Sequence, residues 1–120
     1  MSVWHRPALI GARVLIAALF VAGTVQKIVD PAAAQGLLTG RGLPAFLLWP
    51  ALAFNAAAAT ALLIGWRVAP VALGLAVYCA VTSVFHFVPG DGWQMSIFVK
   101  NWAIAGGCLA LAVAADRRAL

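Results

Sequence analysis

Four long apolar segments, each followed by a group of polar or turn-forming residues, dominate the pattern of this chain. The segments cover residues 8–28, 44–64, 68–88 and 94–115. Each holds about 20 residues, which is enough for a helix that rises 1.5 Å per residue to cross a bilayer core of about 30 Å. The pattern predicts an all-α, polytopic membrane protein with four transmembrane helices.

The connections between these segments are mostly short. Residues 65–67, Gly-Trp-Arg, and residues 89–92, Pro-Gly-Asp-Gly, are predicted to form tight turns. The longer connection contains a stretch, residues 32–38, that we expect to form a short interfacial helix. Short connections make successive helices antiparallel neighbours, so we expect an up-down-up-down bundle, forming one membrane domain over residues 1–120.

Composition supports the membrane class. Hydrophobic residues make up 65% of the chain and charged residues 9%, whereas an ordinary globular domain is about 25% charged. A soluble protein of this composition would lack the polar residues that cover a surface. We therefore expect a multi-pass protein of the cell (plasma or inner) membrane, with the lipid bilayer as its main partner.

The formal net charge of +5 comes from eight Lys and Arg against three Asp and Glu. One end of the predicted bundle collects most of the basic residues: Arg6, Arg13, Arg67, Arg117 and Arg118. The other end has Lys27 and Arg41, balanced by Asp30 and Asp91. The positive-inside rule then places both termini in the cytoplasm. No basic-aromatic patch or nucleic-acid motif is present, so we expect no nucleic-acid partner.

Polar residues inside the apolar segments fall mainly in the half of the bundle away from the termini, and all four segments contribute. The candidate ligand-binding residues are Gln26, Lys27, Asn55, His86, Lys100 and Asn101. A charged residue at such a depth is expected to face the bundle interior or reach the interface. Lys100 shares a helix stripe with Ala103 and Gly107, and small residues let helices approach closely. We therefore expect this stripe to face other helices.

Lysine and imidazole donors suit the carbonyl oxygens of a quinone, a small sulfur oxyanion or an anionic headgroup. Simpler interpretations stay open: Lys27 extends to the headgroups, and Asn55 only links helices. We expect no metal site, because two scattered histidines and isolated aspartates do not make a ligand set. No nucleophile, phosphate-loop or nucleotide motif occurs. The residues therefore leave open whether the chain is an enzyme, and they do not identify a cofactor.

Four motifs in order along the chain resemble those of the DoxX family. They are Arg13-x9-Gly23-x3-Lys27-x2-Asp30, Gly42-Leu43-Pro44, Leu62-Leu63-Ile64-Gly65-Trp66-Arg67 and Lys100-Asn101-x-Ala103-x2-Gly106-Gly107. The resemblance covers most of the chain and implies a small four-helix membrane bundle. It also implies a link to redox work, since relatives include a thiosulfate:quinone oxidoreductase subunit and a membrane complex associated with oxidative-stress proteins. Other relatives act as assembly factors.

One position departs from the family pattern. Many members carry a glutamate in the second helix, about ten residues before its exit, where this chain has Asn55. Asparagine keeps hydrogen bonding but carries neither a proton nor a charge. A proton-coupled mechanism taken from the family is therefore in doubt for this chain.

The sequence is compatible with three functions. The first is a redox-associated accessory subunit that binds a quinone or a small sulfur anion and works with a membrane or membrane-associated redox protein. The second is a non-catalytic assembly or scaffold subunit, in which the polar residues only link helices. The third is a small exporter, which the sequence disfavours because no Asp or Glu lies inside a span.

Overall fold

The chain folds entirely into helices over the residues that the structure describes. The structure is a computed structural model that describes the backbone of residues 3–119 and the side chains of residues 3–116. The side chains of Arg117 and Arg118, which contribute to the predicted charge asymmetry, lie outside the described residues. The all-α fold class is confirmed.

Five α-helices follow one another along the chain. They are α1 (His5–Val29), α2 (Pro31–Thr39), α3 (Leu48–Ile64), α4 (Val68–Thr82) and α5 (Gly92–Ala119). A 3-10 turn, Ala45–Leu47, leads into α3, and another, Ser83–His86, extends α4. Apart from α2, these elements form four helices that are long and apolar enough to cross a membrane. The short α2 covers the stretch within residues 32–38 where a short helix was expected.

The four long helices form two closely packed antiparallel pairs. α1 packs mainly on α3, and α4 packs mainly on α5, while the contacts between the two pairs are less extensive. The bundle measures 48 Å along its longest axis and 27 by 21 Å across. Long helices that follow one another in the chain are therefore neighbours around the bundle, as their short connections require.

The centre of the bundle is built largely from small side chains. Its fully buried members include Ala17 on α1, Ala59 on α3, Ala72 on α4 and Cys108 on α5. Small residues let neighbouring backbones approach closely, and in a bilayer this packing replaces the hydrophobic effect as a source of helix association. Cys79 and Cys108 are both buried and both free, as small apolar core residues are.

Candidate functional site

A polar pair lies in the middle of the bundle. Asn55 on α3 is only 1% exposed, and its Oδ1 accepts a hydrogen bond from the Tyr78 hydroxyl on α4 at 3.3 Å. The Tyr78 ring packs between Phe20, at 6.3 Å, and Phe54, at 5.3 Å between ring centroids. The Nδ2 group of Asn55 is buried and has no hydrogen-bond partner. The bundle thus holds one donor that nothing else among the described residues satisfies.

The Lys27 side chain runs back along its helix towards this pair. Lys27 is half-buried, and its Nζ would lie 3.8 Å from a Cβ placed on Gly23. The contact between Phe20 and Tyr78 puts Phe20 at the level of Asn55. Gly23 lies three residues further along α1, or about 4.5 Å along the axis. The ammonium is therefore about one turn from the level of Asn55.

His86 makes a local link nearer the end of the bundle. Its Nδ1 lies 2.7 Å from Oε1 of Gln94. Since an amide oxygen only accepts, this contact assigns the ring proton to Nδ1. The bond ties the end of α4 to the start of α5. Beside it, Arg41 donates to the Phe87 carbonyl at 3.3 Å. This bond joins the segment between α2 and α3 to the segment before α5.

The expectation for the Lys100 stripe was wrong. Lys100, Ala103 and Gly107 are exposed at the bundle surface, and a Cβ on Gly107 would meet nothing within 4 Å. The reason is the rotation of α5, whose buried face centres on Cys108. At 100° per residue, Lys100 lies roughly a quarter-turn away from that face.

The six predicted residues therefore do not form one cluster. Asn55 and Lys27 lie at nearby levels of the bundle, while His86 bonds Gln94 closer to its end. Gln26 and Lys100 are exposed, and Asn101 is half-buried. Sequence reasoning missed Tyr78 and Gln94. Tyr78 bonds a residue of the preceding helix, and Gln94 bonds His86 across the turn before α5. Each is a single polar residue, so no local motif marks it.

Sequence reasoning also missed the main role of Arg13. Its Nε donates to the Leu62 carbonyl at 2.8 Å, and its second terminal nitrogen donates to the Leu63 carbonyl at 3.2 Å. These carbonyls lie in the last turn of α3, which has no intrahelical donors for them. Gly65 follows in the left-handed conformation, with φ of 81°. The ordered motif already contains Arg13 and Gly65, but only the fold brings them together.

The two aspartates that we considered as counter-ions start helices. Oδ1 of Asp30 accepts from the Ala33 backbone N–H at 3.3 Å. Oδ1 of Asp91 accepts from the N–H groups of Trp93 and Gln94, at 3.0 and 3.2 Å. A carboxylate at this position satisfies free N–H groups and complements the helix dipole.

Among the described residues, no group of three or more His, Cys, Asp or Glu is close enough to hold a metal ion. Two apolar grooves begin at the other end of the bundle, beside the turn from α3 to α4. One of them extends as far as Phe54, whose ring packs on Tyr78, so its inner end adjoins the Asn55–Tyr78 pair.

Comparison with known proteins agrees with the motifs. The DoxX family model matches residues 8–87. The chain is 31% identical, over 103 residues, to the inner membrane protein YqjF of Escherichia coli (strain K12), a match that covers 85% of this chain and 79% of that protein. No solved structure matches the chain. With four helices able to span a bilayer and these two matches, the chain belongs to the DoxX family and is an inner-membrane protein.

Proposed function

We propose that this protein is a redox-associated accessory subunit that binds a quinone, or a small sulfur anion, beside Asn55. The observation that carries the proposal is the Asn55 Nδ2 group, which is buried and unpaired. A buried donor without a partner costs about 1–3 kcal/mol. A ligand oxygen that accepts from Nδ2 would recover this free energy.

The donor set fits such an oxygen. The Nδ2 group of Asn55 and the ammonium of Lys27 are both donors, and the ammonium lies about one turn from the level of Asn55. A quinone carbonyl or a sulfur oxyanion is an acceptor only. The rings of Phe20, Phe54 and Tyr78 supply apolar and aromatic surface beside them, which suits a quinone ring better than a small anion.

The chain's own task in this proposal is to hold and orient the ligand. A bound quinone supplies two-electron chemistry, and a partner protein supplies the other redox group. Asn55 fixes one oxygen and Tyr78 fixes the orientation of the Asn55 amide through its hydroxyl. Because Asn55 is 1% exposed, the ligand enters by separating the α1–α3 pair from the α4–α5 pair, where packing is less extensive.

The test is binding of a short-tailed ubiquinone, with thiosulfate as the second probe, to the purified protein in mild detergent. Asn55→Leu should weaken quinone binding about tenfold, as the loss of one buried hydrogen bond implies. Thr60→Val is the matched control, because Thr60 lies on the same helix, is exposed and bonds only to its own helix at the Ala56 carbonyl. Equal binding by wild type and Asn55→Leu would overturn the proposal, as would binding of neither probe.

A second candidate is the assembly or scaffold subunit. The outward face of α5 supports it, because this face carries Lys100 with Ala103, Gly106 and Gly107. A lysine that faces lipid costs free energy. Exposed glycines allow the backbone of a partner helix to approach closely.

A photocrosslinking amino acid at Ala103, compared with one at Val77 on the exposed side of α4, tests the scaffold candidate. The scaffold role predicts one defined protein adduct in native membranes from position 103 alone. Lipid adducts from both positions would exclude α5 as the docking helix.

A further inference from the structure

A groove runs between α3 and α4 at the end of the bundle opposite the His86–Gln94 link. Its walls come from both helices, and the turn between them forms its mouth. The lining residues are Phe54, Ala57, Ala58, Ala61, Trp66, Arg67, Pro70, Val71 and Gly74. A second groove on α3 shares Ala57, Ala61 and Trp66 with it. The two grooves therefore lie side by side and open towards the same turn.

The length of the second groove along the helix axis matches the thickness of one leaflet of the bilayer. The second groove extends from Ile64 back to Ala53, eleven residues apart, which is about 16 Å of helix. The hydrocarbon core is about 30 Å thick, so one leaflet occupies about 15 Å. A straight acyl chain that starts at the turn would reach the bilayer centre where the groove ends.

The mouth carries a cation, Arg67, that has no acidic partner among residues 3–116. Arg67 lines the first groove, and its guanidinium carbon lies 5.2 Å from the Trp66 ring centroid. No hydrogen bond or ion pair joins Arg67 to an acidic side chain within residues 3–116. Arg13 lies at the same end, but its guanidinium is bonded to the carbonyls of α3. Among the side chains that the structure describes, the free positive charge at the mouth is thus that of Arg67.

The backbone at Arg67 is strained. Its φ of 47° makes it the one non-glycine residue in the left-handed region over the described part of the chain. For an ordinary residue this conformation costs about 1–2 kcal/mol. Such strain persists where the surrounding structure or a function requires it. Here it starts α4 at Val68 while holding Arg67 beside the groove mouth.

We propose that these two grooves hold one anionic phospholipid, with an acyl chain in each groove and the phosphate against Arg67. The pairing of a free guanidinium with two apolar grooves of one-leaflet depth fits a molecule that has one anionic head and two tails. Trp66, which lines both grooves, lies at the headgroup level where tryptophan is enriched. The proposal does not depend on ligand binding at Asn55.

The test is native mass spectrometry of the purified protein after exchange into detergent containing equal amounts of phosphatidylglycerol and phosphatidylethanolamine. We expect one retained phospholipid, with phosphatidylglycerol preferred. Arg67→Gln should lower this preference about fivefold, the effect of one basic residue at a membrane surface. Arg41→Gln is the matched control, since Arg41 is an exposed arginine at the opposite end of the bundle.

Filling the groove tests the acyl-chain sites. Ala57 lines both grooves and is exposed, so Ala57→Leu should remove the retained lipid of either type. Ala103→Leu, at an exposed alanine of α5, is the control and should retain it. If Ala57→Leu does not accumulate, Ala53→Leu makes the same test in the second groove, because Ala53 is also exposed.

Three results would overturn the proposal. One is equal lipid retention by Ala57→Leu and Ala103→Leu. Another is an unchanged phosphatidylglycerol preference in Arg67→Gln. The third is a wild-type protein dimer that Ala57→Leu abolishes with no retained lipid, which would show that a helix of a second copy occupies the groove. Inorganic phosphate should not displace the lipid, because it lacks the two tails.

Discussion

Arg13 and Gly65 illustrate how single residues hold this bundle together. The guanidinium binds the last carbonyls of α3, and a Cβ on Gly65 would lie 2.8 Å from one of its nitrogens. Gly65 is therefore restricted twice, by its φ of 81° and by the arginine. Gly42 has a similar φ of 74°, but a Cβ placed on it would meet no atom within 4 Å. A substitution at Gly42 therefore measures the cost of the left-handed backbone alone.

The first prediction compares these two glycines. Gly42→Ala should cost about 1–2 kcal/mol, the penalty for a side chain in the left-handed region. Gly65→Ala should cost about 1 kcal/mol more than Gly42→Ala, because it also moves the Arg13 terminal nitrogen away from its exposed hydrogen bond to the Leu63 carbonyl. Unfolding in mixed micelles with increasing sodium dodecyl sulfate measures both. In an Arg13→Gln background, the extra cost at Gly65 should disappear; an unchanged cost would exclude the contact as its source.

The second prediction concerns the Asn55–Tyr78 pair. Tyr78→Phe should destabilise the protein by about 1–3 kcal/mol, because it leaves both polar atoms of the buried amide unpaired. Asn55→Leu combined with Tyr78→Phe should return stability to the wild-type value or above, since an apolar pair has no unsatisfied donor. The same unfolding assay measures both variants. A double variant less stable than Tyr78→Phe alone would show that the amide contributes packing that leucine cannot replace.

At the scale of elements, the start of α5 depends on one side chain. Asp91 accepts from two backbone N–H groups and so fixes the turn that positions Gln94 for its bond to His86. Two interactions therefore link α4 to α5 at this end. One is the Asp91 cap of α5, and the other is the hydrogen bond between His86 and Gln94.

The third prediction follows from this cap. Asp91→Ala should cost about 1 kcal/mol, the usual loss when a capping residue is removed. Asp91→Asn should cost less, because asparagine also caps helices well. Asp30→Ala should have the smaller effect of the two alanine variants, since Asp30 makes one bond at 3.3 Å. Hydrogen exchange of the Trp93 and Gln94 amides would report the loss directly, and unchanged protection in Asp91→Ala would contradict the cap.

At the scale of the whole molecule, the charge distribution has a clear polarity. Arg6, Arg13 and Arg67 lie at one end of the bundle, while Lys27 and Arg41 lie near Asp30 and Asp91 at the other. The positive-inside rule still predicts that the first end, with both termini, faces the cytoplasm.

The fourth prediction tests this orientation by cysteine labelling. Cys79 and Cys108 are 3% and 0% exposed, so the native background should be low. In spheroplasts, Gly90→Cys should react with a membrane-impermeant maleimide, because residue 90 lies in the turn before α5 and has open space around it. Arg6→Cys, exposed at the start of α1, should react only after the membrane is permeabilised. The reverse pattern would invert the topology.

The sequence by itself determined the fold class, the four spans and the membrane location. Each of these depends on a local property, namely the length of an apolar segment, the turn residues after it and the scarcity of charge. The presence of a helix can be predicted in this way because, in a bilayer, the backbone groups of a spanning segment must form hydrogen bonds within that segment. The same counting predicted that Asn55 lies near the middle of the second span and Lys27 at the end of the first.

Only the tertiary structure decided which face of each helix turns inward. In α5 nearly every residue is apolar or small, so the pattern does not distinguish the Cys108 face from the Lys100 face, and sequence reasoning chose the wrong one. In lipid both faces contact apolar surroundings, so burial leaves little periodic signal. Packing therefore fixed the outward position of Lys100, the pairing of Asn55 with Tyr78 and the bond from Arg13 to α3.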